Sequence, residues 1–181
     1  MKYIDIHSHM NFTAFDEDRA EVIKRALDND TWLINVGTQV DTSRKAVEIA
    51  HQYEQGVYAI IGLHPIHTSA SYHDQKELGE GGKEFTSRGE DLDVDVYTEL
   101  LRDPKVVAIG ECGLDYFHME GDTIARQKEA FLKQIQIANV VGKPLMLHIR
   151  NHPKNKEVDA YADALNILKE YSKVKGDVHF F

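Results

Sequence analysis

At 181 residues, with 42% hydrophobic side chains and a formal net charge of −9, the chain suffices for one domain with a sizeable core, and its acidity argues against a protein that coats nucleic acid with a basic surface. No apolar stretch is long enough to span a membrane, and the polar first strand is no signal peptide. The lone cysteine, Cys112, excludes an internal disulfide and fits a reducing cytoplasm. A phosphodiester substrate stays open, because bound divalent cations can supply positive charge where phosphate sits.

The first strand, Tyr3 to His9, carries Asp5, His7 and His9 at alternate positions, and strand alternation predicts all three on one face. Asp16 to Asp28 is expected as a helix with Ala20, Ile23, Ala26 and Leu27 as its apolar face. Thr31 to Val36, closed by Gly37, has the signature of a buried strand. Asp41 or Thr42 can cap a second helix that turns Val47 and Ala50 inward. A third strand, Val57 to Leu63, finishes in Gly62-Leu63-His64-Pro65. Residues 71–91 then break the rhythm with Gly79, Gly81, Gly82 and Gly89 among charges, which predicts a long mobile loop or lid.

Order returns with a short helix, Val94 to Leu101, and a fourth strand, Lys105 to Gly110, with Glu111 just past its end. A long helix from Thr123 to Val141 places Ala130, Phe131, Gln134, Ile135 and Ala138 on one face, and Gly142 suits its C-terminal cap. Pro144 opens a fifth strand, Leu145 to Leu147, that delivers His148. The next helix, Val158 to Glu170, is expected to bury Tyr161, Leu165 and Leu168, and a sixth strand, Val174 to Val178, delivers His179. Strands alternating with helices imply parallel βαβ units in a single domain, 1–181.

Chemistry collects at the strand ends: His7 and His9, then Glu111, His148 and His179. In a (β/α)₈ barrel these ends converge on one face, where catalytic residues sit. Two neutral imidazoles two residues apart can hold one metal ion, or merely cap a polar strand end. Nitrogen ligands arriving with a carboxylate from later strands favour the metal, and suit a pair of borderline ions. His51, His67, His73 and His118 lack strand-end placement and are expected on the surface or in loops; Cys112 is expected to be a packing residue. Lys143, Arg150, Lys154 and Lys156 gather around the fifth strand, where Arg150 could grip a phosphate oxygen or the lysines form a solvated surface.

Ile4-Asp5-Ile6-His7-Ser8-His9, Gly62-Leu63-His64-Pro65, the run from Ile109 to Tyr116, the run from Pro144 to Arg150, and Gly176-Asp177-Val178-His179-Phe180 together resemble the TatD-type metal-dependent deoxyribonucleases of the amidohydrolase-like barrels. The resemblance implies an α/β fold of the (β/α)₈ TIM-barrel type and hydrolysis of DNA by a two-metal-activated water, the ions being Zn, Mn, Co, Ni or Mg. It makes His7, His9 and Glu111 ligands of one ion and Glu111, His148 and His179 ligands of the other, with Glu111 as the catalytic bridge. His64, Asp115 and Arg150 fall in the substrate-facing shell. The family carries a later strand with an aspartate that completes the site, and this chain ends before it. The expectation is therefore a C-terminally truncated barrel of about six strands out of eight, shorter than the fold's usual ~250 residues and weakly active or inactive by itself. Its open edges would be available for self-association or a partner chain.

Two other readings compete. One is a hydrolase of small amides, lactones or phosphoesters on the same barrel, although Glu111 stands where many amidohydrolases bridge their metals with a modified lysine, and Lys105 is at the wrong end of the strand. The other is a non-catalytic homologue that retains the shape of the site.

Overall fold

The computed structural model describes residues 1–70, 72–73, 85–86, 88–117, 119 and 121–179. Strands β1 (Tyr3–Ser8), β2 (Thr31–Val36), β3 (Val57–Ile61), β4 (Val106–Asp115), β5 (Leu145–Arg150) and β6 (Gly176–Val178) pair in parallel, in that order, as one six-stranded sheet. Helices α1 (Arg19–Asp28), α2 (Val40–Ala50), α3 (Val94–Leu101), α4 (Thr123–Val141) and α5 (Ala160–Tyr171) link them. The sheet curls so far that the ring of His7, at the end of its first strand, lies 4.2 Å from that of His179, just past its last. The result is an open, incomplete α/β barrel. Among the described residues, no helix is long and apolar enough to cross a membrane.

Alternation sorts the side chains between two sides. Ile61, Ile109, Cys112, Leu145 and Leu147 pack outward against Tyr97 and Leu101 of α3 and Phe131, Ile135 and Ala138 of α4. A second outer cluster joins Leu33 and Val57 to Ile23, Ile49 and Ala50 from α1 and α2. The concave side holds Ile34, Val36, Ile60, Ala108 and Met146. Ile4 pairs with Trp32 on that side but stays 45% exposed, and Ile6 is 40% exposed, because β1 is an edge strand of the sheet among the described residues.

Several boundaries shift for identifiable reasons. α1 begins at Arg19, not Asp16, because Thr13–Phe15 forms a 3₁₀ turn and Arg19 folds back onto the carbonyls of Met10 and Phe12. α2 starts at Val40, since the Thr42 hydroxyl accepts the amides of Thr38 (2.9 Å) and Gln39 (3.0 Å) from inside the first turn. Strand β4 runs on through Asp115 and β5 through Arg150, so Glu111 and His148 lie within strands, not past them.

Three expectations are corrected. In α5, Tyr161 is 36% and Leu165 50% exposed; Ala160 and Ala164 are the residues buried. Small side chains let that helix sit close to the sheet, and the Tyr116 hydroxyl donates to Asp163 (2.7 Å), fixing its rotation. Lys143 is remote from any phosphate grip: its ammonium donates to the carbonyls of Leu101, Asp103 and Val106, before the start of β5. His67 is buried, not superficial. Of the expected loop at 71–91, residues 71, 74–84 and 87 lie outside the described residues, as does His118. Tyr72–His73 pairs antiparallel with Phe85–Thr86, and Glu90 is tied down: its carboxylate accepts from the Tyr97 hydroxyl (2.7 Å) and the Val40 amide (3.2 Å).

Candidate metal centre

Strand β4 is irregular where it carries Glu111. It pairs with β3 as far as Ile109, and its register against β5 slips between Ile109 and Cys112. Gly110 (φ 154°) and Gly113 (φ 139°) bracket the slip. A Cβ on Gly110 would lie 2.5 Å from the Met146 carbonyl oxygen, and one on Gly113 only 2.2 Å from that of His148, so only glycine lets the two backbones approach. Cys112 is buried among the outer core residues, and the Glu111 carboxylate is turned toward the site.

Four histidines reach that carboxylate. Its Oε2 is 3.3 Å from His7 Nε2. Its Oε1 is 3.0 Å from His179 Nε2, 3.1 Å from His148 Nδ1 and 3.5 Å from His64 Nε2. His9 joins through His7, their Nε2 atoms facing each other at 3.1 Å, while its Nδ1 is 3.0 Å from the Val36 carbonyl. Among the described residues, two three-residue groups have ligand atoms close enough to share an ion, His7 with Glu111 and His179, and His64 with Glu111 and His148.

Asp5 does not share the face of His7 and His9. The β1 register slips between Asp5 and Ser8; Ser8 bonds to Ile34 O and Asn35 Oδ1 (both 3.1 Å), and Asp5 lines a groove against α1 with Met10, Arg25 and Leu33. Its carboxylate accepts the His7 amide at 3.1 Å, so it steadies that residue from behind.

Hydrogen-bond partners define the ring states. The Val36 carbonyl accepts from His9 Nδ1–H, leaving Nε2 as a lone pair, and burial lowers the His9 pKa. His64 Nδ1 accepts the Ile66 amide (3.2 Å), so the neutral ring carries its proton on Nε2, aimed at Glu111; burial, then the neighbouring His148, lower its pKa. Burial opposes ionisation of Glu111, yet the charges and hydrogen bonds of His64, His148 and His179 outweigh it and hold the carboxyl far below the usual range. Burial likewise opposes the His148 cation, but hydrogen bonds to Asp115 (2.8 Å from Nε2) and Glu111 raise its pKa to about 9. Asp115 is buried, which raises its pKa, but the bond from His148 brings the net value below normal. Arg150 lies over the Phe117 ring at 3.7 Å, with Nη1 4.0 Å from Asp115.

The residues singled out from sequence therefore gather at one place: His7, His9, His64, Glu111, His148 and His179, with Asp115 and Arg150 behind and beside His148. Sequence reasoning overlooked Phe12, stacked on His9 at 4.4 Å, and the buried Gln127 and Gln134 of α4, which bond to the backbone of Asp115 and Leu63. A polar side chain at a core position of α4 was the available signal for Gln134.

The fold is thus an open parallel α/β barrel whose strand ends gather histidines around one buried carboxylate. The sequence pattern of the family described as TatD related DNase matches residues 4–181, and the chain belongs to that family. It is 34% identical to a Bacillus subtilis (strain 168) protein named uncharacterized metal-dependent hydrolase YabD, over 98% of this chain and 60% of that protein. It is 34% identical to the 3'-5' ssDNA/RNA exonuclease TatD of Edwardsiella piscicida, over 97% of this chain and 58% of that one. The crystal structure of YJJV, a TatD homologue from Escherichia coli K12, superposes with a TM-score of 0.67 at 25% identity, covering 93% of this chain and 56% of that chain. The chain thus spans about half to 60% of the length of the curated relatives it matches.

Proposed function

We propose that the chain carries the metal centre of a hydrolase that cuts phosphodiester bonds of nucleic acid, with DNA as the expected substrate. The observation that carries this reading is the division of histidines between the two oxygens of Glu111. His7 meets Oε2, with His9 Nε2 3.1 Å from its Nε2, and this pair suits one divalent ion; His148 and His179 meet Oε1 and suit a second. The donor states fit: His9 offers Nε2, and Asp115 engages His148 Nε2 so that Nδ1 is the ligand atom. Imidazole and carboxylate suit Zn, Mn, Co or Ni, and Mg is compatible with the carboxylate.

When bound, such ions polarise a phosphoryl oxygen and lower the pKa of a shared water toward neutrality. The chain's own residues do the rest. Glu111 is ionised at neutral pH and can bridge. His64 presents an Nε2–H donor rather than a ligand lone pair, which suits it to hold a phosphate oxygen. Arg150, supported on Phe117, offers a planar cation to the same group. The relatives named 3'-5' ssDNA/RNA exonuclease TatD support a single-stranded substrate. Residues 1–181 form one domain around this site, with 71–91 as an insertion, and the free, buried Cys112 suits a reducing cytoplasm. The unpaired edges of β1 and β6 are where further strands or a second chain would join.

The test is hydrolysis of an end-labelled single-stranded oligodeoxynucleotide by the Mn²⁺-loaded chain, beside a phosphomonoester panel. A chimaera extended by the remaining segment of the B. subtilis relative runs in parallel. We expect chelator-sensitive cleavage of the oligonucleotide, faster in the chimaera. Cleavage of monoesters alone, or no cleavage by either protein, would overturn the reading.

A further inference from the structure

Two buried glutamines of α4 each grip a single residue at a strand's C-terminal end, Leu63 just past β3 and Asp115 the last of β4, by both of its backbone groups. Gln134 Oε1 accepts the Leu63 amide (2.9 Å), while its Nε2 donates to the Leu63 carbonyl (3.0 Å). Gln127 does the same at Asp115, Oε1 accepting the amide (2.8 Å) and Nε2 donating to the carbonyl (2.7 Å). A side-chain amide carries one acceptor and one adjacent donor, so it can stand in for a neighbouring strand. Leucine would leave both backbone groups unpaired, and glutamate would set oxygen against the carbonyl.

The gripped positions are where ladders give out next to the site. Pairing between β3 and β4 ends at Ile61 and Ile109, and Gln134 takes over two residues later, immediately before His64. Gln127 holds the residue whose carboxylate accepts from His148 Nε2. The two glutamines are seven residues apart, two turns of one helix, so they share a face. Gly62 completes the arrangement: a Cβ there would lie 2.7 Å from Gln134 Oε1 and 2.6 Å from the Gly110 backbone.

We propose that Gln127 and Gln134 are positioning residues of the metal centre, resting on the functional reading above. Gln127 fixes His148 through Asp115, and Gln134 fixes His64 through Leu63. The two act on different parts of the site. Gln127 governs a residue that offers a ligand nitrogen, whereas Gln134 governs one that offers a proton.

The experiment records the visible absorption of the Co²⁺-loaded chain, and kcat and KM on the single-stranded oligonucleotide, for Gln127→Leu and Gln134→Leu. Far-ultraviolet circular dichroism confirms that each variant is folded. Gln127→Leu is expected to shift the Co²⁺ ligand-field bands and weaken Co²⁺ binding about 10- to 100-fold, the usual cost of losing an outer partner of a ligand. Gln134→Leu is expected to leave the bands in place and lower kcat/KM on a similar order of 10-fold or more. Should a leucine variant not fold, the Gln→Glu variant, which keeps the acceptor and loses the donor, is read by the same criteria. Folded variants with wild-type bands, affinity and kinetics would overturn the proposal. If the wild type binds Co²⁺ but neither it nor the extended chimaera cleaves the oligonucleotide, the functional reading fails, and the bands of Gln127→Leu still decide whether that residue positions a ligand.

Discussion

Metal binding at this site should expel a proton at a pH where histidines are ordinarily neutral already. His148 lies between Asp115 and Glu111, and their hydrogen bonds raise its pKa to about 9 against the burial that opposes its charge. A cation at Nδ1 must displace that proton. At pH 7.5 an unperturbed imidazole is only about one-tenth protonated, so it releases almost nothing, whereas a group titrating near 9 releases close to one proton. The free-energy cost at pH 7.5 is roughly 2 kcal/mol, so apparent affinity should climb about tenfold per pH unit from this proton alone, levelling off near pH 9. Calorimetric titration in two buffers of different ionisation enthalpy counts the protons directly. The sign runs the other way for the metal-free fold. A histidine raised by folding stabilises fully below about pH 6.5, and that contribution, at most about 3 kcal/mol, is lost as pH rises toward 9. Release of no proton at pH 7.5, with affinity flat across that range, would refute the assignment of His148 as a ligand held by Asp115.

Gly113→Ala should damage the site from the backbone. Its Cβ would meet the His148 carbonyl oxygen at 2.2 Å, and the two strands must part by about 1 Å to relieve it, a displacement able to cost about 100-fold in activity. Metal affinity and cleavage rate measure this; wild-type values would show that the strand spacing beside Glu111 does not matter. Lys143→Met should do the reverse. Losing its three carbonyl partners should cost about 2 kcal/mol in denaturant unfolding while leaving metal binding untouched. Weakened metal binding in a folded Lys143→Met chain would contradict its placement away from the site.

Elements with strong local signals were readable from sequence. α3 and α4 have the expected limits because Asp93 caps one, accepting the amides of Asp95 and Val96 at 3.0 and 3.1 Å, and Gly142 closes the other at φ 72°. The buried run Thr31–Val36 is a strand with no shift at either end. His148 was readable because it follows the apolar run Leu145–Leu147, whereas His7, His9 and His179 were read from their places in or just past short mixed strands at the two ends of the sheet. What escaped depends on partners distant in sequence. The slip in β1 that turns Asp5 away from His7 and His9 sits beside Asn35, a residue of β2 that accepts from Ser8 and the Met10 amide. The length of β4 and the position of Glu111 inside it rest on close passage of Gly110 and Gly113 along β5. The face of α5 follows from Tyr116 bonding to Asp163, and the placement of Lys143 from carbonyls of two other segments. Periodicity reports local burial; it carries no information about such cross-strand bonds.

The most direct test is the number of divalent ions held, measured by equilibrium dialysis against micromolar Mn²⁺. Glu111 meets its histidines through both oxygens, so the chain should bind two ions, and a folded Glu111→Ala chain should bind none. A wild-type chain that takes up no metal, or a Glu111→Ala chain that binds as the wild type does, would contradict the account.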